Sequence, residues 1–204
     1  MKILKTLLIL FLLSFNLQAQ KNNDSILLHG KEFQEKMNTE YADKQHSPLP
    51  PEELKNFEAL PFFKIDSAYY VVARFERTKK PKSIKFKTST DRRPKYEIFG
   101  TVFFEIHGVE YSLKVYQSHR LREMEEYKNH LFLPFTDLTT GVESYGGGRY
   151  IDLEIPNSET IIIDFNHAYN PYCAYSSRYS CPVVPNENFI NVKILAGVKA
   201  PVPH

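Results

Sequence analysis

Alternation of apolar and polar residues is the main pattern of the chain from residue 66 onwards. In the segment 83–87, Ile84 and Phe86 fall on one face and two lysines on the other. A period of two places successive side chains on opposite faces of a strand. Segments of this kind, rich in β-branched and aromatic residues, predict strands over residues 68–77, 83–87, 96–106, 110–117, 131–135, 149–155, 160–165 and 191–195.

The period changes to a helical one nearer the N-terminus. One apolar face recurs there at close to helical spacing, formed by Ile26, Phe33, Met37 and Tyr41. Asp24 or Ser25 can accept a hydrogen bond from an orphan backbone N–H, which predicts a helix over residues 24–42. A proline-rich segment ends this helix, and Pro51 followed by two acidic residues predicts a second, short one.

A hairpin is the clearest local prediction. The strands 96–106 and 110–117 flank His107-Gly108, and Gly108 supplies the positive φ that a tight turn needs. Short strands with tight turns and few helices predict a mainly β (α+β) fold. We expect a single antiparallel sheet, curled or stacked into a barrel-like or sandwich-like domain, with the N-terminal helix against it.

The first 19 residues have the composition of a signal peptide. Lys2 and Lys5 precede an apolar run over residues 7–15, and Ala19 is a small residue suited to signal peptidase. This pattern predicts cleavage between Ala19 and Gln20 and export to the periplasm or beyond the cell, the alternative being an uncleaved anchor. The apolar run is too short to span a bilayer comfortably, and we expect no membrane span after cleavage.

Composition narrows the class of the mature protein. The chain has 204 residues, 42% hydrophobic and 25% charged, so residues 20–204 suffice for a single globular domain with a real core. The formal net charge of +2 offers no case for nucleic acid as a partner. No phosphate-binding loop or metalloprotease motif occurs, and we predict no cofactor.

Residues 134–188 hold the candidate chemistry. Gly146, Gly147 and Gly148 permit positive φ and close approach of a ligand or another backbone. Arg149 follows them and can fork onto a carboxylate or phosphate ligand. The alternative is an internal salt bridge, with Asp137, Glu143, Asp152 or Asp164.

Alternation also predicts which side chains share a face. Arg149 lies with Ile151 and Leu153, opposite Tyr150 and Asp152, while Asp164 and Asn166 lie opposite Ile161, Ile163 and Phe165. Asp164 and Asn166 could therefore meet Tyr150 or Asp152 at one site. A carboxylate there can act as a general base, with Arg149 as its electrostatic partner in a hydrolase, or can simply lock a loop.

Cys173 and Cys181 are the only cysteines, with seven residues between them. In an exported protein such a pair most simply forms a disulfide. The sharper alternative is a metal site, which needs two further ligands such as His167 or Asp164, although the spacing of structural zinc sites is absent. A catalytic thiol near His167 is a weaker possibility.

Three motifs carry a resemblance to a known family. They are Gly147-Gly148-Arg149-Tyr150, then Asp164-Phe165-Asn166-x-Ala168-Tyr169-Asn170-Pro171-x-Cys173-Ala174-Tyr175, then Cys181-Pro182-x-x-Pro185-x-Glu187-Asn188. The chain resembles the uncharacterised bacterial domain-of-unknown-function family 1684, most sharply in the signature region 134–197. The resemblance implies a shared fold and surface but no reaction. Members often carry glutamate where this chain has Val198.

We therefore predict a module that binds a small molecule, glycan or peptide. Its pocket is expected between the Gly146–Gly148 turn and the loop 164–188, because aromatic and amide side chains suit small polar ligands. The candidate binding residues are Arg149, Tyr150, Asp152, Asp164, Asn166, Tyr169, Asn170, Tyr175 and Asn188. A hydrolase using Asp164 and Arg149, or a metal-binding protein using Cys173 and Cys181, are the alternatives.

Overall fold

Two helices precede the sheet. The computed structural model describes the backbone of residues 2–201 and the side chains of residue 20 and of residues 23–201. Helix α1 spans Lys2–Ala42 and helix α2 spans Pro51–Leu54. The predicted end of the first helix and the predicted second helix are confirmed. The predicted start at Asp24 is wrong, because α1 already begins at Lys2 and no N-terminal N–H groups need a cap at residue 24. The predicted signal peptide covers residues 1–19, whose side chains are not among those that the structure describes.

Eight strands form one sheet that curls into a half-barrel, which confirms the predicted mainly β class. The order is β6-β5-β4-β3-β1-β7, with β2 on β3 and β8 on β5. Every pairing is antiparallel except that of β5 with β8. The strands are β1 Tyr70–Arg77, β2 Ser83–Lys85, β3 Lys95–Ile106, β4 Val109–Ser118, β5 His130–Asp137, β6 Arg149–Glu154, β7 Thr160–Asp164 and β8 Phe189–Ile190.

The β3–β4 hairpin has the two-residue turn that the sequence predicts. Ile106 pairs with Val109, and both turn residues have positive φ, 52° at His107 and 77° at Gly108. Two successive positive φ angles give the twist that matches the flanking strands.

The last predicted strand, residues 191–195, is wrong; strand β8 ends at Ile190. The backbone after it bonds mainly to side chains, apart from the Val192 carbonyl, which accepts from the Leu138 N–H at 3.2 Å. The Ile194 N–H donates to Asp137 Oδ2 at 2.7 Å, and the Ile194 carbonyl accepts from Arg149 at 2.9 Å. A backbone whose polar groups are already satisfied in this way has no need of a strand ladder.

One face of the sheet carries the main hydrophobic core. Ile161, Ile163 and Phe165 are buried in it together, as their alternation predicts. A smaller apolar cluster lies between α1 and the loops, and confirms the predicted apolar face of that helix at Met37 and Tyr41. Its buried members are Met37, Tyr41, Leu49, Leu60, Tyr175 and Val198. Val198 is fully buried there, where a glutamate side chain would be surrounded by apolar groups.

Within the described part of the chain, no helix combines the length and the apolar character needed to cross a bilayer.

Candidate functional site

Arg149 forms the centre of a closed polar lock. Its side chain is fully buried, and Nη2 lies 3.3 Å from Asp137 Oδ1 and 3.3 Å from Thr139 Oγ1. The guanidinium also donates to the carbonyls of Ile194 and Ala196. Burial lowers the arginine pKa and Asp137 raises it, so the group remains a cation held by its partners. The structure therefore shows the internal salt bridge with Asp137, and Arg149 does not reach the surface.

Asp164 and Asn166 lock a loop. Asp164 Oδ1 accepts from the Asn166 backbone N–H at 2.9 Å and from its side-chain amide at 2.8 Å. The Asn166 amide also binds the backbone of Asp66. Its Oδ1 accepts from the Asp66 N–H and its Nδ2 donates to the Asp66 carbonyl, both at 3.0 Å. His167 Nε2 lies 3.5 Å from the other Asp164 oxygen. Arg149 is not among these partners, so the arrangement gives the hydrolase alternative no support.

Asn188 fills a gap in the sheet ladder. Strands β4 and β5 pair at Tyr116 and Phe132, a register that would place Lys114 opposite Pro134. Proline has no N–H to donate to the ladder. The Asn188 side chain substitutes, accepting from Lys114 N at 2.9 Å and donating to Lys114 O at 2.9 Å and Pro134 O at 2.7 Å. Asn188 is fully buried, and its side chain is a bridge between the two strands.

Asn170 is likewise a buried residue whose side chain joins separate segments of the backbone. Its amide donates to the Tyr175 hydroxyl at 3.1 Å and to the Lys199 carbonyl at 2.8 Å. Asn170 is fully buried and Tyr175 nearly so. Of the predicted binding residues, the asparagines and Arg149 thus hold the fold from inside.

The remaining candidates, Tyr150, Asp152 and Tyr169, come together in a cleft of about 530 Å³, here called the aromatic cleft. It lies between α1, the ends of β5 and β6, and the loop that follows Tyr169. Its aromatic lining is Phe33, Tyr96, Tyr127, Phe132, Tyr150, Tyr169, Tyr172 and Tyr179, and its polar lining includes Lys36, Glu40, His130, Asp152, Ser180 and Cys181.

Alternation along β6 and a pair of backbone bonds position the cleft residues. Tyr150 and Tyr169 exchange two backbone hydrogen bonds of 2.9 Å, and their rings meet edge to face at 5.9 Å. On its other side the Tyr150 ring packs against Phe132 at 4.7 Å. The Tyr150 hydroxyl donates to the Pro182 carbonyl, which ties the loop to the strand.

Asp152 is the polar centre of the aromatic cleft. One carboxylate oxygen accepts from His130 Nε2 at 2.8 Å and the other from the Tyr169 hydroxyl at 2.9 Å. Even so, the Asp152 side chain is 51% exposed. A carboxylate oxygen can accept about two hydrogen bonds, so each retains acceptor capacity toward the cleft. His130 Nδ1 is buried and has no hydrogen-bond partner among the residues that the structure describes.

The tyrosines of the cleft are neutral donors. Burial raises the pKa of Tyr96, Tyr150, Tyr169 and Tyr172, and Asp152 raises that of Tyr169 further. Each phenol therefore keeps its proton at neutral pH, when the site presents rings, hydroxyl groups and the acidic side chains of Asp152 and Glu40.

The glycine turn lies elsewhere. Gly146 lines a second cleft of about 440 Å³, with Tyr145, Ala174 and Tyr175 of the predicted pocket region. The loop 164–188 thus borders both clefts, whereas the glycine turn borders only the second. Gly148 has φ 82° and a Cβ there would lie 2.6 Å from the Phe135 carbonyl, so its role is close packing against β5.

Cys173 and Cys181 are neighbours beside the aromatic cleft. The Cys173 backbone N–H donates to Cys181 Sγ at 3.2 Å, and both are free thiols in the structure. His167 stacks on Phe33 at 4.6 Å. Between residues 23 and 201, no three side chains of His, Cys, Asp or Glu lie close enough together to hold a metal ion.

Sequence reasoning missed much of the aromatic cleft, including His130, Phe132, Tyr172 and Tyr179. Tyr172 and Tyr179 lie in the segment that the sequence singled out, and their density there was a usable signal. His130 ends a charged segment and carried no signal, because its pairing with Asp152 depends on the register of β5 with β6.

Comparison with known proteins gives the chain a family but no activity. No curated protein matches it. The solution NMR structure of an uncharacterized protein of Haloarcula marismortui is similar, with a TM-score of 0.65 and 32% sequence identity over 94% of this chain and 97% of that chain. Residues 55–199 match the family described as "Protein of unknown function (DUF1684)". With both the fold and the signature motifs in place, the chain belongs to the DUF1684 family.

Proposed function

We propose that this is an exported protein that binds a small hydroxyl-bearing ligand, a saccharide unit, in the aromatic cleft. The observation that carries the proposal is the half-exposed Asp152, held by His130 and Tyr169 and surrounded by tyrosine rings. These two partners hold the half-exposed carboxylate in place, so its free acceptor sites are oriented before any ligand arrives.

The chemistry of the lining favours saccharides over other small ligands. Aromatic rings offer flat apolar surfaces against which the C–H faces of a sugar ring pack. The Asp152 carboxylate accepts from hydroxyl groups, and the hydroxyl of Tyr172, which burial keeps neutral, can donate to them. A volume of about 530 Å³ suits one or two sugar rings and falls within the usual range of ligand pockets, roughly 300–1,000 Å³.

Export is supported by the sequence of residues 1–19. Cleavage after Ala19 would keep the buried residues of the described part of α1, because Ile26, Met37 and Tyr41 all follow that point. The mature helix would then begin near Gln20. Intact mass spectrometry of protein purified from an exporting host should show the loss of residues 1–19, whereas a full-length mass would contradict cleavage.

The same mass measurement tests a disulfide. We infer that Cys173 and Cys181 close a bond in an oxidising compartment, since a 3.2 Å contact already joins their residues. Protein purified without reductant should weigh two hydrogens less than the reduced form. Two free thiols in that preparation would contradict the bond and leave the saccharide proposal untouched.

Ligand-observed NMR with a panel of neutral mono- and disaccharides tests the binding proposal directly. We expect saturation transfer from the wild-type protein to at least one sugar. Asp152→Asn should weaken that binding by about tenfold or more, because it removes the charge of the strongest acceptor. Asp91→Asn, the same change at an exposed site outside the cleft, serves as the matched control and should bind normally.

A second variant tests the aromatic wall. Tyr172 is 42% exposed at the cleft, so Tyr172→Ala removes a ring face with modest cost to the core. We expect it to weaken sugar binding by roughly fivefold to tenfold, the value of about one aromatic contact. If no sugar binds, or if binding survives both Asp152→Asn and Tyr172→Ala, the proposal fails.

A further inference from the structure

The two cysteines differ in exposure and surroundings. Cys173 is half-buried on the turn Tyr172–Ala174, whereas Cys181 is buried in the wall of the aromatic cleft. Cys181 is fixed through its backbone, which donates to the Ser89 hydroxyl at 3.2 Å and accepts from the Ser89 N–H at 3.0 Å. The pair thus joins an accessible sulfur on a short turn to a sheltered sulfur on a rigid support.

Hydrogen-bond donors converge on the accessible sulfur. The Tyr145 hydroxyl lies 3.9 Å from Cys173 Sγ, and the Cys173 backbone N–H holds Cys181 Sγ at 3.2 Å, where the Cys181 thiol can turn its proton toward Cys173. Since a thiolate has no proton, both groups must be donors when Cys173 is ionised. The hydrogen bond from Cys181 is the largest contribution that lowers the Cys173 pKa, to about 6, and the Tyr145 bond adds to it.

The buried sulfur has the opposite tendency. Its hydrogen bond to Cys173 and its burial both raise the pKa of Cys181, so its proton stays on at neutral pH. A cysteine pair with only a structural role needs no such division, because buried structural thiols are inert. A half-buried thiolate beside a buried, protonated thiol is the arrangement of a nucleophile and its resolving partner.

We propose that Cys173 and Cys181 form a thiol–disulfide exchange site, in which Cys173 attacks and Cys181 resolves, and whose substrate class is a low-molecular-weight disulfide. This inference rests on the disulfide put forward above, and adds that the bond is exchangeable. It does not depend on saccharide binding.

The chemistry balances in two steps. The Cys173 thiolate attacks one sulfur of the substrate R–S–S–R, which breaks the S–S bond, forms a mixed disulfide and releases RS⁻. Cys181 then passes its proton to the leaving thiolate and attacks Cys173 Sγ, which releases the second thiolate. Starting from the Cys173 thiolate, the protein loses one proton and two electrons, and the substrate leaves as one thiol and one thiolate, which takes a proton from water.

Glutathione disulfide is the probe, with intact mass spectrometry as the readout. Reduced wild-type protein should reach the intramolecular disulfide without accumulating an adduct. Cys181→Ser should stop at a stable adduct of one glutathione, because nothing resolves it. Cys173→Ser should react at least about tenfold more slowly than Cys181→Ser, since its remaining thiol is buried and protonated. Equal rates for the two serine variants would overturn the inference and leave a merely structural disulfide.

A variant with both cysteines intact gives an independent test, free of damage to the pair. The rate of Cys173 alkylation by iodoacetamide should reach half its maximum near pH 6 in the wild-type protein. Tyr145→Phe keeps the ring but removes the hydroxyl donor, so its midpoint should lie at higher pH and its rate at pH 6 should fall about twofold to fivefold. A wild-type midpoint close to the ordinary value of 9.0, or no response to Tyr145→Phe, would overturn the assignment.

Discussion

Strand β6 carries two polar centres that differ in almost every physical respect. Arg149, at its first position, is fully buried and is bound by Asp137, Thr139 and backbone carbonyls. Asp152, three residues later, is half exposed and keeps acceptor capacity toward a cleft. The first centre is enclosed within the protein, whereas the second has room for a ligand.

The side of the strand decides the difference. Arg149 pairs with Phe135 and faces the main core, whereas Asp152 pairs with Phe132 and shares the opposite face with Tyr150. A charged residue on the core face must be satisfied internally or it costs several kcal/mol. A charged residue on the other face needs only water or a ligand. Polar residues of the signature region therefore do not all have the same role: Arg149 is structural, whereas Asp152 is free to contact a ligand.

Removal of the buried cation should have the largest effect. Arg149→Met keeps an apolar stem but leaves Asp137 buried without its counter-charge, so we expect a loss of about 3–5 kcal/mol in the free energy of unfolding. Urea denaturation measures it. A loss below about 1 kcal/mol would contradict the conclusion that Arg149, unlike Asp152, is needed for the stability of the fold.

The second-largest loss of stability is expected from a change in the backbone beside Arg149. Gly148→Ala places a Cβ at positive φ and within 2.6 Å of the Phe135 carbonyl, which should cost roughly 2–3 kcal/mol. Gly146→Ala is the matched control, since its Cβ would meet nothing nearer than 3.8 Å. Equal denaturation midpoints for the two variants would show that the turn relaxes and does not press on β5.

Asn188, which bridges β4 and β5, allows a further test of a polar residue that is satisfied within the fold. Asn188→Ala leaves buried backbone groups of Lys114 and Pro134 without partners, and we expect a loss of about 2 kcal/mol. Asn188→Asp is the informative companion, because it keeps the shape but replaces the donor amide with a carboxylate facing two carbonyls. It should be no more stable than the alanine variant in the same urea experiment.

The smallest effects on stability should come from the open centre. Tyr150→Phe removes only the bond to the Pro182 carbonyl, about 1 kcal/mol, and keeps the ring packed on Phe132. Asp152→Asn should change the free energy of unfolding by less than about 1 kcal/mol, since surface pairs contribute little. A large loss for Asp152→Asn would mean that this centre, too, is structural.

Local patterns predicted the fold well where side chains alternate against one core. The faces of β6 and β7 and the positive φ of Gly108 follow from short-range sequence alone. Residues 191–195 look like a strand but are not one. Their backbone bonds to Asp137 and Arg149, more than forty residues away, and no local pattern contains that information.

The candidate site was harder to predict because it depends on strand order. Asp164 ends β7, which borders β1 at one end of the sheet, while Asp152 lies on β6 at the other end. Alternation correctly placed each carboxylate relative to its own strand but could not say which strands are neighbours. His130 entered the site through its pairing with Glu154 across β5 and β6, a register invisible in a single segment.

The hydrogen bonds around Arg149 also bear on when the chain can fold during its synthesis. The Arg149 guanidinium is completed by the carbonyls of Ile194 and Ala196, and Asp137 also binds the Ile194 N–H. A nascent chain that has emerged only as far as β7 therefore lacks two of the four partners of the Arg149 guanidinium and the bond from the Ile194 N–H to Asp137. We expect such a chain to gain little from early compaction, so the stable fold should form only once residue 196 is available.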